Sequence, residues 1–348
     1  MGPRFRRGPI ATPPGRGDDR REAGARLSSR SVLTVAADRP RMRLARLARL
    51  ARLPRIDRDG LSTLVFLLPV LLIFGVFSWF PIGRAIVMSV QQTNLVATPT
   101  FVGADNFARV LADPLFWRAV ANTGYFMILA LVIGFPIPLV LAVVMSEVRR
   151  FKGLYSALAY LPVVIPPVVA VLLWRLAFFD PRPAGVFNTI LGAVGIGPLP
   201  WLQNAASAMP SIVIEATWAG AGATVIIYLA ALLSVPPELY DAAEVDGASI
   251  WQKVRHVTLP HLRGVLLITL ILQLIATAQL FTEPFLFTGG GPANSTTTVL
   301  LLIYHYAFQN SLGGDYGMAA ALSVMLAAFL GLFTAGYFWM TRSWSTSS

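Results

Sequence analysis

The chain has 348 residues, 55% of them hydrophobic and 13% charged, with a mean hydropathy of +0.65. Soluble domains carry about 25% charged residues, so this composition excludes an ordinary water-soluble globule and points to a chain embedded in lipid. The absence of cysteine and the presence of only three histidines, His256, His261 and His305, exclude disulfides and thiolate chemistry and leave a zinc centre without a ligand set.

The net charge of +11 would suit nucleic acid, but it is gathered at one end. Residues 1–60 hold 16 arginines against 6 acids, which leaves the remaining chain at +1. This distribution predicts a basic arm before a membrane span and no nucleic-acid partner. Residues 1–41, rich in Arg, Pro, Gly and Ser, are expected to be disordered. They lack the short apolar core and cleavage site of a signal peptide. From Arg43 to Arg52 the triplet Arg-Leu-Ala recurs, setting a basic stripe beside a leucine stripe. Two readings stand: a juxtamembrane helix on anionic lipid, or an extension preceding a true start at Met42.

Six apolar runs follow, each near the roughly 20 residues needed to cross a bilayer core: 61–82, 120–144, 154–179, 212–233, 265–286 and 318–340. The expected fold is therefore all-α, with six transmembrane helices. Its divisions are the cytoplasmic arm (1–60), the first span with an extracytoplasmic segment (61–119), a core of five spans (120–340) and a short tail (341–348). With an even number of spans both termini share one side. That side carries 23 basic residues, 16 of them in the arm, and the other side 5: Arg84, Arg109, Arg118, Arg175 and Arg182. The positive-inside rule then places both termini and the loop at 234–263 in the cytoplasm, in a plasma-membrane protein.

The prolines of the second and third spans, Pro136, Pro138, Pro162, Pro166 and Pro167, each predict a kink or break. Such breaks survive in lipid only against protein or a wet cavity. Ionisable and amide groups inside spans usually face a cavity or a partner. Glu215 and Trp218 share a face of the fourth span. Gln273, Gln279 and Glu283 make a hydrogen-bonding stripe on the fifth, and Trp218, Phe281 or Phe285 could supply an aromatic platform. These five residues are candidate lining of a solute path, the alternative being polar glue between helices.

The loop 234–263 is a polar island between apolar runs. Pro236 and Pro237 precede it; acids come early (Glu238, Asp241, Glu244, Asp246) and bases late (Lys253, Arg255), as helix dipoles favour. Gly247 permits a corner, and Pro260 is expected to end the segment. Leu239, Ala242, Ala243 and Asp246 share one face, kept flat by the alanines.

The string Asp241-Ala242-Ala243, then Gly247, then nine residues, then Val257-Thr258-Leu259-Pro260 resembles the EAA loop of the membrane permeases of binding-protein-dependent ABC importers. Asp stands where the family has Glu, and Val where it usually has Ile. The resemblance, covering residues 61–340, implies the type I importer permease fold and a coupling helix that docks in an ATPase subunit. Phe101-Val-Gly-Ala-Asp-Asn-Phe, Asp113-Pro-Leu-Phe-Trp-Arg118 and Thr288-Gly-Gly-Gly-Pro292 are similar to segments of carbohydrate-type permeases, which implies a sugar or oligosaccharide as cargo. It also implies a second permease subunit, two ATPase subunits and an extracytoplasmic solute-binding protein as partners. The chain has no Walker A pattern, so it is expected not to be an enzyme and to need no cofactor. Alternatives are an importer of another small polar solute, such as a polyol or glycerol phosphodiester, and a scaffold or channel that moves no such solute.

Overall fold

A computed structural model describes residues 58–148, 150–309 and 314–342. The arginine repeat and the rest of the arm before residue 58 lie outside the described residues, as do Arg149 and the tail after Arg342. Residues 1–71 and 72–348 form two units, and the described part of the first is helical.

In chain order the first long helix is α1, Ser62–Ser89, with a 28-residue length. A two-stranded antiparallel ribbon follows, β1 Gln91–Gln92 paired with β2 Thr100–Phe101 in the register Gln91 to Phe101. Then come α2 Asp105–Ala112 and α3 Pro114–Glu147. The third expected span is two helices, α4 Gly153–Val164 and α5 Pro167–Phe178, bent by 98°. Next are α6 Val186–Ala193, α7 Ala205–Leu232 and α8 Pro237–Val245. The 29-residue α9, Ile250–Ala278, precedes the short α10, Thr282–Thr288, and α11, Val299–Phe308; α12, Tyr316–Thr341, closes the series. Five of these helices are long and apolar enough to cross a membrane, six spans if the α4–α5 pair counts as one.

Prolines explain where these helices break and where they do not. Ile165 and Pro166 are extended, because a residue before proline avoids the helical region and Pro166-Pro167 removes two successive N–H donors. That is the bend between α4 and α5. Elsewhere the chain widens instead. Five-residue π-helical turns at Gly75–Trp79, Ala130–Gly134 and Val254–Thr258 each precede, by one residue, a proline: Pro81, Pro136 and Pro260. A proline ring clashes with the carbonyl four residues back. Here that carbonyl lies inside the wide turn, so the helix runs on. Pro260 therefore does not end the loop segment as expected; it sits inside α9.

The fifth expected span, 265–286, is corrected at both ends: the helix begins at Ile250 and stops at Ala278. Pro284 could not donate to Leu280 O in a continuous helix. That carbonyl instead accepts the Thr298 hydroxyl at 2.7 Å, and Pro284 falls in the first turn of α10, where no N–H is needed.

Packing gathers the helices in three clusters. Val110, Phe116, Leu302 and Leu322 join α2, α3, α11 and α12. An aromatic cluster of Phe126, Trp174, Phe179 and Phe287 fills the middle. Ala142, Tyr228, Leu232 and Leu262 close the end that carries α8. Close backbone approach between α4 and α7 depends on Gly222, where a Cβ would lie 2.1 Å from Ala159 O. At the opposite end from α8, Asn106 donates to Ser89 O and Gln91 O, and Arg109 pairs with Asp315 at 2.6 Å.

Candidate functional site

Two regions carry the candidate residues: the elbow at α8 and a cavity among α3, α7, α9 and α10. Pro237 opens α8 and Glu238 lies in its first turn. Its end is a Schellman motif: Gly247 N–H reaches Glu244 O at 3.0 Å and Ala248 N–H reaches Ala243 O at 2.9 Å. Gly247 takes φ +74°, the left-handed conformation that glycine adopts without penalty. Two residues later Ser249 starts α9 with a capping box: its own N–H donates to Gln252 Oε1 at 2.7 Å, and Gln252 N–H is directed at Ser249 Oγ. The sequence reading missed Ser249 and Gln252, although Ser-x-x-Gln before an apolar helix is a legible signal.

Two further contacts brace the corner. Lys253 Nζ lies 2.9 Å from Glu244 Oε2 and holds that carboxyl below its usual range. Tyr240 Oη and Thr258 Oγ1 are 3.0 Å apart, tying α8 to the widened turn of α9. Glu238, Asp241, Ala242, Glu244, Asp246 and Pro260 are exposed, while Ala243 and Leu259 are half-buried. Apolar groups stand out beside the acids: Leu239 46%, Val245 89%, Ile250 79% and Trp251 71% exposed.

The cavity, of about 560 Å³, is lined mostly by small or hydroxyl-bearing residues such as Ala216, Thr217, Gly220, Thr224 and Thr277. Gln273, Gln279, Phe281 and Glu283 border it, and Glu283 is the one ionisable residue in its described lining. The helix break at Gln279–Phe281, rather than one continuous helical face, brings Gln279 and Glu283 there. Phe281 stacks on Phe285 at 5.2 Å and 13°. The structure places Glu215 and Trp218 elsewhere. Glu215 is 1% exposed within the core. Trp218 lines a separate apolar crevice of about 300 Å³ and packs 5.4 Å from Trp174. For Trp218 the physical reason is packing: Trp174 and the aromatic cluster around it cover that side of α7.

The loop that opens with Thr288-Gly-Gly-Gly-Pro292 is fastened. Thr288 and Thr296 hydroxyls meet at 2.6 Å, and Asn122 Nδ2 of α3 donates to Asn294 O and Thr297 O at 2.7 and 2.9 Å. A Cβ on Gly290 would meet Thr297 Oγ1 at 2.6 Å.

Residues 134–345 match the model of the family described as the binding-protein-dependent transport system inner membrane component. The chain belongs to this family. The permease is 38% identical to the arabinooligosaccharides transport system permease protein AraP of Halalkalibacterium halodurans, over 75% of this chain and 82% of that one. It is 34% identical to the lactose transport system permease protein LacF of Rhizobium radiobacter, over 80% and 93%. A chain of a bacterial ABC transporter involved in the import of the acidic polysaccharide alginate superposes with a TM-score of 0.73 and 28% identity, covering 86% of this chain and 99% of that one. The all-α membrane fold and the permease family expected from the elbow motif are thus both established. The permease is a membrane component of an importer, with several spans.

Proposed function

We propose that this permease moves a sugar or oligosaccharide inward, driven by ATP hydrolysis on two separate subunits, one of which docks at its elbow. One observation carries the reading. The corner of the elbow leads through Ser249 into α9, and the far end of that helix borders the cavity. At about 1.5 Å per residue, its 29 residues span roughly 43 Å. A push on the elbow is therefore delivered to the cavity wall by one element.

The remaining assignments fit this reading. Exposed acids beside Leu239, Val245, Ile250 and Trp251 offer the mixture of charge and apolar surface that a docked subunit covers. Both termini and the elbow face the cytoplasm, as the distribution of arginine indicates. The relatives' arabinooligosaccharide, lactose and alginate cargoes favour a carbohydrate. Gln279, Glu283 and the Phe281 ring supply hydroxyl-bonding groups and an apolar face for such a solute. Glu215 and Trp218 keep only a supporting place behind the wall. A second permease subunit completes the path, and an extracytoplasmic binding protein delivers the solute.

The test is reconstitution in vesicles with the second permease, the ATPase subunit and the binding protein. The reading expects accumulation of a labelled oligosaccharide that requires both ATP and binding protein. Uptake independent of ATP, or no association with an ATPase subunit, would contradict it.

A further inference from the structure

We propose that Gln273 is a positioning residue: its side-chain amide joins α9 to the widened turn of α3, and through this joint movement of α9 changes the shape of the cavity. The inference rests on the transport reading above but assigns Gln273 a role other than contact with solute.

Three observations meet at this point. Gln273 Nε2 donates to Ala130 O at 2.8 Å. That same carbonyl closes the π-helical turn, accepting Phe135 N–H at 2.9 Å. Gly134, the last residue of the turn, lies where a Cβ would be 3.3 Å from Gln273 Nε2 and 3.1 Å from Thr217 Oγ1. One turn of α3 thus meets α9 at Gln273 and α7 at Thr217, and Ala130, Gly134, Thr217 and Gln273 all border the cavity.

The chemistry suits a joint that opens and closes. Ala130 O keeps its bond from Phe135 when Gln273 leaves, so release strands no backbone group of α3. Single π-helical turns inside α-helices are frequent at functional sites. In the described structure the amide is the one side-chain hydrogen bond from α9 to α3. α9 begins at the elbow, so its displacement must either stretch this bond or carry the turn along. A single hydrogen bond of this kind biases a two-state equilibrium by about two- to tenfold.

The experiment uses the assembled transporter with its ATPase and binding protein, comparing wild type, Gln273→Leu and Gly134→Ala. Leucine keeps the approximate volume and removes the donor; the Gly134 variant keeps the donor but crowds it, together with Thr217 Oγ1. ATP consumed per solute moved should rise about two- to tenfold in each. The KM for solute should stay within about twofold of wild type. The double variant should be no worse than the more severe single one, because both break one joint. Gln273→Glu, which keeps the shape but donates nothing when ionised, should behave as the leucine variant does. A raised KM at unchanged ATP per solute would overturn the proposal in favour of solute contact. Parallel loss of hydrolysis and uptake with a lowered Tm would overturn it in favour of packing alone. An unchanged ratio would also overturn it, while a wild-type assembly that moves no solute would overturn the transport reading itself.

Discussion

Individual residues set the geometry at three backbone positions, and each gives a test. Gly247 is the corner of the elbow, with φ +74° and open space where a Cβ would be. A β-branched residue there meets no neighbour but strains the backbone by about 1–2 kcal/mol. Gly247→Val should insert normally, as judged by expression in the membrane, yet lose most coupled uptake. Gly222 is the opposite case, with a negative φ and no space. Gly222→Ala should lower the Tm of the solubilised permease by several degrees, while Gly220→Ala, with nothing within 4 Å of the added Cβ, should not. Thr298→Val removes the donor to Leu280 O. Leaving a buried carbonyl unpaired costs about 1–3 kcal/mol, so this variant should unfold earlier in a denaturant titration. A charge supplies the pH test. Arg182 holds the Asp180 carboxyl down from 3.8 to about 2. A carboxyl with a depressed folded value contributes stability above its unfolded value and loses it as pH falls through the folded one. The Tm difference between wild type and Asp180→Asn should therefore be constant down to about pH 4 and vanish towards pH 2.

Elements show what was legible in the sequence and what was not. Hydropathy placed every long helix, because lipid demands continuous apolar length and internally satisfied backbones. The elbow could be read because its corner needs Gly247 and its ends need Pro237 and acids, all of them local requirements. Each proline of the second and third spans was expected to kink or break its helix, but Pro138 and Pro162 lie within helices and the outcome depends on neighbours. Pro166-Pro167 breaks the third span, whereas Pro136 and Pro260 follow turns that widen and let the helix continue. Pro284 broke the fifth span where a continuous stripe was expected, because Thr298, distant in sequence, was available to satisfy the freed carbonyl. Tertiary packing also took Trp218 out of the expected lining. Periodicity puts a residue on a face of α7, but only the packing of α5 decides whether that face meets a cavity or the aromatic cluster.

At the scale of the whole molecule, the proposed function rests on one helix shared by the elbow and the cavity. Without that continuity, ATP bound elsewhere would have no differential contact through which to shift the permease between states. The chain contains no cysteine, so a single introduced thiol reports on one place. The most direct measurement is disulfide trapping from Ala242→Cys, on the exposed face of α8, to a cysteine placed in the ATPase subunit of the assembled transporter. The account predicts a reducible cross-link that abolishes uptake and restores it when reduced. Modification of that thiol by a membrane-impermeant reagent added outside intact cells, with no cross-link to the ATPase, would contradict it.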